Sequence, residues 1–353
     1  MKQELLSLSP LEIRDWMKEQ GESAFRGDQV YKWLLKGADF SEMRNLPGSL
    51  REKLDSIAVS NGVRIREVFT SRVDGTEKYL YELTDGHLIE GVLMKYKYGY
   101  TLCASTQVGC RMGCAFCAST LQGKLRDLTA GEILGQIVAV DRRLGENGRV
   151  GNVVLMGSGE PFDNYDNVVK FLRLYQDPAG MNKSLRTLSL STCGLVPMID
   201  RFRGEGLPVT LSLSLHAPND EIRRRTMPVA RAYTMDETIA ACRRYVRDTG
   251  RRLVVEYALI RGVNDSAECA RELAGRLRGF QCHVNVIPLN GVSERDLSAP
   301  DEKGIAQFLS TLAQEHISAT RRREMGTDIQ GACGQLRARY LENGNTLEGG
   351  SPA

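Results

Sequence analysis

The stretch from Cys103 to Cys117 reads CASTQVGCRMGCAFC, and it indicates what the rest of the chain is built to hold. Within it, Cys110, Cys114 and Cys117 form a C-x3-C-x2-C pattern, which places three thiols on one short loop. Cubane iron–sulfur clusters and structural zinc ions both normally take four protein ligands. Three thiolates therefore leave one metal corner open to a small molecule, which favours chemistry over a purely structural role.

Two glycines allow the backbone to turn tightly around a cluster on this loop, Gly109 and Gly113. Two other interpretations are a zinc site with a distant fourth ligand and three unrelated buried thiols. The nearest further candidates, Cys103 and His87, fit neither a C-x2-C…H-x3-H pattern nor a paired C-x2-C pattern. We therefore favour an iron–sulfur cluster with three cysteine ligands.

The loop resembles that of the radical S-adenosylmethionine (SAM) enzymes. In that superfamily, the open iron of a [4Fe-4S] cluster is chelated by the amino and carboxylate groups of SAM. An electron from the cluster then cleaves the sulfonium to a 5′-deoxyadenosyl radical. The resemblance implies both cofactors here, and it does not identify the substrate.

The composition indicates a globular chain without a membrane segment. Of its 353 residues, 42% are hydrophobic, which is enough for one large core or two smaller ones. No run of about eighteen apolar residues occurs and the N-terminus lacks a signal-peptide apolar core, so we expect neither a membrane span nor export. The nine cysteines, an odd number without an export signal, indicate reduced thiols and a cytoplasmic protein.

The net charge of +3 does not by itself predict nucleic-acid binding, but the arginines are concentrated in the second half of the chain. Clustered arginines suit phosphate contacts. Solvated helix faces and local ion pairs are equally compatible with these clusters. The residues concerned are Arg223, Arg224, Arg225, Arg231, Arg243, Arg244, Arg247, Arg251, Arg252, Arg321, Arg322 and Arg323.

Residues 1–62 are predicted to form a small helical module that binds RNA or packs against the core. Its first helix begins with a capping box at Ser9 and stops at Gly21. We expect a second helix to end near Gly37 and a third to begin near Leu50.

Residues 63–97 change to a period-two pattern with turn signals at Asp74-Gly75 and Asp85-Gly86, which predicts an antiparallel β segment connecting the module to the core. Glu90 lies among apolar residues in the last of these strands. A carboxylate there is either a charge on an edge strand or a catalytic group.

Residues 98–340 alternate between apolar strands and amphipathic helices in six successive βα units. This alternation predicts a parallel sheet with right-handed crossovers, and without G-x-G-x-x-G after the first strand it favours an open βα barrel. We expect a seventh strand near 317–323 and a disordered tail over 341–353. The predicted strands are 98–105, 151–156, 185–192, 208–215, 252–260 and 282–289, and the helices are 129–144, 164–176, 195–204, 235–249, 265–278 and 301–315.

Polar and glycine-rich clusters follow each predicted strand. In a parallel barrel the active site lies at the carboxyl ends of the strands. A plain turn or a core histidine would explain any one cluster, but together they describe a pocket for an amine, a carboxylate and a ribose, the groups that SAM presents. The clusters are the cysteine loop, 157–161, 191–194, 212–218, 262–265 and 288–290.

Two further cysteines extend the resemblance. Cys103 stands seven residues before Cys110, and Cys333 lies in the segment DIQGACGQL after the last predicted strand. Together with the G-E-P loop at Gly159, the S-L-H-A-P-N-D run and the F-R-x-x-Q-x-x-x-W segment at Phe25, these motifs are similar to those of the RlmN/Cfr family of radical SAM RNA methyltransferases. The resemblance covers nearly the whole chain.

The resemblance implies methylation through a protein-bound carbon, because adenine C2 is electron-poor and a carbon radical can attack it. Cys333 is first methylated by one SAM, and a radical from a second SAM abstracts hydrogen from that S-methyl group. The methylene radical adds to the adenine, and Cys103 then attacks the Cys333 sulfur, which releases the product and leaves a disulfide for reduction. Glu90 takes the acid/base role. The implied cofactor contacts are Gly159, Glu160, Ser191, Ser214, Leu215, His216 and Asn290.

The family contains two activities. RlmN enzymes methylate C2 of an adenosine in the peptidyl-transferase centre of 23S rRNA and of the tRNA adenosine 3′ of the anticodon, whereas Cfr enzymes methylate C8 of the same rRNA base. The segments 159–161 and 287–290 and the N-terminal F-R-x-x-Q helix resemble RlmN more closely. The implied partners are 23S rRNA, tRNA and an electron donor such as flavodoxin or ferredoxin, and we expect a monomer.

Cys193 departs from the family pattern, in which we expect serine or another small residue, and it adds a thiol near the rim. Two rival classes are a non-enzymatic iron–sulfur RNA-binding protein and a radical SAM enzyme that acts on a small molecule or a peptide. The open cluster corner argues against the first, and the Cys103 and Cys333 pair argues against the second.

Overall fold

Three helices and a short strand pair form the N-terminal region of the computed structural model, which describes residues 2–291 and 296–329. The predicted capping box is present, because the Ser9 hydroxyl accepts the Glu12 N–H at 3.2 Å while the Glu12 carboxylate accepts the Ser9 N–H at 2.7 Å. The three predicted helices are confirmed. In chain order the elements are β1 (Gln3–Glu4), α1 (Pro10–Glu19), α2 (Ala24–Leu34), α3 (Gly48–Ile57) and β2 (Ala58–Val59).

An antiparallel extension follows, made of β3 (Val63–Thr70), β4 (Glu77–Leu83) and β5 (Leu88–Tyr96). It joins the rest of the sheet because β5 pairs antiparallel with β6 (Gly99–Cys103). The predicted antiparallel segment is confirmed, but β5 lies between β4 and β6 rather than at an edge. Glu90 is buried in this internal strand, so its interpretation as an edge-strand charge is wrong.

A short antiparallel hairpin, β7 (Gln107–Gly109) and β8 (Lys124–Asp127), encloses the three-cysteine loop. The sequence did not predict it. Because β7 has only three residues and its partner lies beyond the whole cysteine loop, neither strand gives a readable period-two pattern.

The remaining elements alternate between helices and strands, as predicted. Strands β6, β9, β10, β11, β12, β13 and β14 pair in parallel in that order, which confirms the six predicted strands and the seventh at the sheet edge. Helix α7 was not predicted. The elements are α4 (Ala130–Leu144), β9 (Val150–Leu155), α5 (Tyr165–Gln176), β10 (Leu188–Thr192), α6 (Val196–Arg203), β11 (Thr210–Ser214), α7 (Asp220–Thr226), α8 (Met235–Thr249), β12 (Leu253–Leu259), α9 (Ala267–Leu277), β13 (Cys282–Pro288), α10 (Glu302–Gln314) and β14 (Ala319–Arg321).

The core lies between the parallel strands and their connecting helices. Strand residues such as Leu190 and Leu213 are fully buried, and α4 contributes the fully buried Ile133 and Ile137. Because apolar side chains fill the centre of this core, the polar residues at the carboxyl ends of the strands are left to line a cavity. Within the described parts of the chain, no helix has the length and apolar character needed to cross a membrane.

Candidate active site

A cavity of about 250 Å³ opens at the carboxyl ends of the parallel strands. Its wall combines the three cysteines of the loop with residues that follow β9, β10, β11 and β13. All of the predicted cofactor contacts except Leu215 line it, and Leu215 is buried behind the wall. The predicted residues that share this cavity are Cys110, Cys114, Cys117, Gly159, Glu160, Ser191, Ser214, His216 and Asn290.

The cysteine loop is held in place by backbone hydrogen bonds. Gly109 has a φ of +76°, and a Cβ there would lie 1.9 Å from the Gly123 carbonyl oxygen. Only glycine fits both the left-handed backbone and this close approach. The Cys110 N–H donates to the same Gly123 oxygen at 3.0 Å, and the Ala115 N–H donates to the Thr226 oxygen at 2.8 Å. The loop is thereby tied both to its own hairpin and to α7.

The three thiols influence one another's ionisation. Burial raises the pKa of Cys110 to about 12, and the Cys117 thiol adds to the rise. Burial also raises the pKa of Cys114, with further contributions from Cys117 and Cys110. Metal ligation needs the thiolates, and the positive charge of iron would stabilise the thiolates that this pocket otherwise disfavours. The residues therefore fit a bound group that brings positive charge.

The described residues contain no group of three His, Cys, Asp or Glu side chains arranged to hold one metal ion. A cubane cluster binds each thiolate at a different iron corner. The cluster interpretation therefore does not require the three sulfurs to converge on one ion.

The loop after β9 brings a buried carboxylate to the cavity wall. Gly159 has a φ of +109°, and a Cβ there would lie 2.6 Å from the Gln107 side chain, so the loop packs directly on β7. The Glu160 carboxylate accepts the backbone N–H groups of Cys193 at 2.7 Å and Phe162 at 3.1 Å. Burial raises the pKa of Glu160, while these hydrogen bonds oppose the rise. A carboxylate fixed in this way is suited to pair with an ammonium group of a ligand.

Two hydroxyls on the neighbouring strands β10 and β11 and an imidazole just after β11 also line the cavity. The Ser191 and Ser214 hydroxyl oxygens lie 3.1 Å apart. His216 has a φ of +55°, and its Nδ1 accepts the Ala258 N–H at 2.8 Å, which leaves the proton of the neutral ring on Nε2. Burial, with a contribution from Arg223, lowers the pKa of His216 to about 3. His216 is therefore a neutral hydrogen-bond donor rather than a proton carrier at physiological pH.

Glu256 is a cavity residue that the sequence analysis missed. It lies on β12, is 3% exposed, and accepts a hydrogen bond from the Asn285 side chain at 2.8 Å. Burial raises the pKa of Glu256, and Arg322, which also lines the cavity, opposes the rise. A single carboxylate in the apolar run LVVEYAL was the available signal.

Arg223 was grouped with the arginines suited to phosphate contacts, and this interpretation is wrong. Its side chain is completely buried, because α7 packs it beneath the loop that follows β10. The guanidinium donates to the Cys193 carbonyl oxygen at 2.6 Å and is close enough to Cys114 to interact with its charge. Arg223 therefore supports the cavity wall from behind.

Cys103 and Glu90 lie outside the cavity lining, on the neighbouring antiparallel strands. Cys103 is opposite Val92 in the register of β5 and β6, so Glu90, two residues from Val92, points to the same face of the sheet as Cys103. Cys103 packs in a cluster with Met156 and Met325, and Met156 also lines the cavity. Two of the three predicted catalytic residues are thus buried on one face of the sheet, and Cys103 adjoins the cavity through Met156.

The chain after β14 returns across this face of the sheet. The Asp328 carboxylate accepts the Ser71 hydroxyl at 2.6 Å and the Arg72 N–H at 2.8 Å, and the Gly326 N–H donates to the Asp74 side chain at 2.9 Å. These contacts hold the start of the DIQGACGQL segment on the turn between β3 and β4. Cys333, together with the predicted tail, lies outside the described residues.

Comparison with known proteins identifies the family. Residues 104–273 match the Radical SAM superfamily, and residues 3–59 match the ribosomal RNA large subunit methyltransferase N-terminal domain. A probable dual-specificity RNA methyltransferase RlmN from Clostridium novyi is 48% identical over 341 residues, which is 96% of this chain and 99% of the relative. The chain belongs to the RlmN family of radical SAM RNA methyltransferases. A second RlmN relative, from Alkaliphilus oremlandii, is 50% identical over 97% of this chain and 99% of its own length.

The RlmN assignment agrees with a solved structure. A radical SAM methyltransferase from Sphaerobacter thermophilus superposes with a TM-score of 0.92 at 43% identity, covering 95% of this chain and 99% of that one. The radical SAM fold predicted from the cysteine loop and the βα alternation is confirmed. Both rival classes, the non-enzymatic RNA-binding protein and the small-molecule or peptide enzyme, are set aside by membership of the RlmN family.

Proposed function

We propose that this RNA methyltransferase adds a methyl group to C2 of adenosine in two RNAs. These are the adenosine in the peptidyl-transferase centre of 23S rRNA and the tRNA adenosine just 3′ of the anticodon. The curated relatives carry the name dual-specificity RNA methyltransferase RlmN, which supports two RNA substrates and an RlmN rather than a Cfr activity. The convergence of the three cysteines with Glu160, Ser191, Ser214, His216 and Asn290 on one cavity supports the SAM-dependent radical chemistry on which the proposal depends.

The cavity residues have the chemistry that SAM and a cluster require. Cys110, Cys114 and Cys117 would hold the [4Fe-4S] cluster, which supplies the electron for cleavage of SAM. The Glu160 carboxylate is suited to the methionine ammonium group. The His216 Nε2–H, the hydroxyls of Ser191 and Ser214 and the Asn290 amide can bond the carboxylate and ribose oxygens, while Gly159 and Leu215 would contact SAM through their backbones.

Cys333 and Cys103 act in sequence in this proposal. Cys333 carries the methylene carbon to the base, and the adduct returns one electron to the reducing system and gives up its C2 proton, which restores the aromatic ring. The Cys103 thiolate then attacks the Cys333 sulfur, the electron pair of the broken S–C bond takes up a proton to complete the methyl group, and the disulfide that remains must be reopened by a reductant. Two observations support the pairing: Cys103 packs against Met325, and Asp328 anchors the segment that leads to Cys333. Glu90, buried on the same sheet face as Cys103, takes the proton from the adenine.

The remaining assignments follow from the proposed reaction. We assign RNA binding to residues 1–62, a connecting role to 63–97 and the radical chemistry to 98–340, with 341–353 as a tail. The reaction needs reducing equivalents, for which flavodoxin or ferredoxin is suited. We place the enzyme in the cytoplasm as a monomer, where its RNA substrates and reduced thiols coexist.

Mass spectrometry of rRNA and tRNA tests the regiochemistry. RNA from a host that lacks the gene should contain no 2-methyladenosine at either site, and returning the gene should restore it. Purified enzyme given SAM with a deuterated methyl group should yield a product methyl that has lost one deuterium, and 5′-deoxyadenosine should gain it. Appearance of 8-methyladenosine would replace the proposal with the Cfr activity, and a fully deuterated product methyl would exclude the S-methylcysteine route.

A further inference from the structure

A stacked pair of tyrosines stands at the end of the hairpin that carries Cys103. The Tyr96 and Tyr98 rings have centroids 5.0 Å apart and an angle of 6° between their planes. Tyr98 is 70% exposed. One face of the pair is therefore available to a partner that stacks on aromatic rings.

The Tyr96 side chain lies on the same face of the sheet as Glu90 and Cys103, at the amino end of β6. Side chains alternate along β5, so Tyr96 points to the same side as Met94, Val92 and Glu90. The Tyr96 hydroxyl donates to the Met94 sulfur at 3.4 Å, and Met94 packs in the same cluster as Cys103. Tyr96 lies four residues along β5 from the position opposite Cys103, which is about 13 Å at about 3.3 Å per residue.

Two arginines of the segment that follows β14 lie near the half-buried member of the pair. Arg322 and Arg323 both lie close enough to the Tyr96 hydroxyl to affect its ionisation, although burial dominates and raises the pKa of Tyr96. Arg322 also lines the cavity, so it spans the interval between the tyrosines and the active site. Arg323 is exposed, as is Lys97 between the two tyrosines. Stacking rings flanked by cations are the features that bind single-stranded nucleic acid.

The neighbouring charges on the hairpin do not share this arrangement. Lys95 is opposite Tyr100 in the register and lies over its ring at 5.8 Å, on the other face of the sheet. Arg321 is paired with Glu302 and Glu324 at the sheet edge. The surface that we take as suited to RNA consists of the stacked Tyr96 and Tyr98 and the exposed Arg323, which we call the tyrosine platform.

We propose that the tyrosine platform is a stacking site for an unpaired base of the RNA substrate, outside the cavity that takes the target adenosine. The proposal rests on the proposed function, because it takes RNA as the substrate. Arg323 neutralises a phosphate of the same strand, and the platform fixes the register of the RNA so that one adenosine is presented.

Binding of short single-stranded RNA to the purified enzyme tests the platform. Removing one base–aromatic stack by Tyr98→Ala should weaken binding about 5- to 150-fold, whereas Tyr98→Phe should bind like the wild type. A set of RNAs, each with a single abasic site at a different position, locates the stacked base. When the abasic site falls at the stacked position, the RNA should bind wild-type enzyme and Tyr98→Ala equally, because no base is present there to stack on the Tyr98 ring. We expect this at one or two positions.

Arg323→Gln tests the phosphate contact independently. The variant should reduce the slope of log affinity against log salt by about 1. Arg321→Gln is the matched control, and its slope should equal the wild-type slope because Arg321 is occupied by Glu302 and Glu324.

The possible outcomes distinguish a failure of the proposed function from a failure of the tyrosine platform. If wild-type enzyme does not bind RNA, the proposed function fails and takes this inference with it. If wild-type enzyme binds RNA but Tyr98→Ala binds equally well, or Tyr98→Phe is as weak as Tyr98→Ala, only the platform is overturned. A Tyr98→Ala defect that persists at every abasic position would also overturn stacking. Thermal unfolding of each variant should match the wild type, since Tyr98 and Arg323 are exposed.

Discussion

Gly109→Ala is expected to damage the cysteine loop without touching a thiol. The left-handed φ of +76° would cost alanine about 1–2 kcal/mol. The new Cβ would also lie 1.9 Å from the Gly123 oxygen, which would have to move by about 1 Å, since real Cβ atoms essentially never approach within 3.0 Å. That movement breaks the Cys110 hydrogen bond to the same oxygen, a further loss of about 0.5–1.5 kcal/mol. The free energy of unfolding should therefore fall by about 1.5–3.5 kcal/mol.

Gly86→Ala is the matched control, because Gly86 has a φ of +82° and no atom within 4 Å of an added Cβ. Its free energy of unfolding should fall only by the backbone cost of about 1–2 kcal/mol. Urea unfolding of the cluster-free proteins measures both losses, and iron content after anaerobic reconstitution should fall in Gly109→Ala alone. Equal destabilisation of the two variants, or a full iron content in Gly109→Ala, would refute the reasoning from the Gly123 contact.

Three further predictions concern the cluster, the thiol pair and the C-terminal segment. Alanine at any one cluster ligand should abolish the iron–sulfur absorption and the release of 5′-deoxyadenosine, and full activity would contradict the assignment; the ligands are Cys110, Cys114 and Cys117. Cys333→Ala should carry no protein-bound methyl group. Cys103→Ala should instead accumulate a protein–RNA adduct that resists thiol reductants and whose RNA is shortened by nuclease, as seen on a denaturing gel. Normal turnover by Cys103→Ala would show that another residue resolves the adduct. Hydrogen bonds from Ser71 and Arg72 hold the pKa of Asp328 below its usual value, so its anchoring is present at neutral pH and is lost as the pH falls through the folded-state pKa. Amide hydrogen exchange of residues 322–329, corrected for intrinsic rates, should therefore be faster in Asp328→Asn than in the wild type at neutral pH. In the wild type the exchange should rise only on acidification. Equal exchange rates in the two proteins at neutral pH would disprove the anchor.

Short-range patterns in the sequence were enough for the family and the βα order, and they supplied the proposed cluster ligands. The three cysteines fall within eight residues, and their spacing alone limits how they can face a metal group. The strand and helix assignments depend on periods of two and 3.6 residues, which any local window contains. The glycine-rich ends of the strands were readable because parallel strands place all their carboxyl ends at one edge of the sheet.

The tertiary structure decided which residues beyond those patterns belong to the site. Glu90 is buried only because β4 and β3 extend the sheet past β5, and Arg223 is buried only because α7 folds beneath the loop after β10. Asp328 meets Ser71 across 257 residues of sequence, a separation that no local window can relate. Such contacts depend on strand order and on loop closure over long distances, whereas periodicity reports only the residues within one element. For this reason the sequence by itself determined the family and the order of the elements, and only the tertiary structure decided which residues surround the cysteine loop.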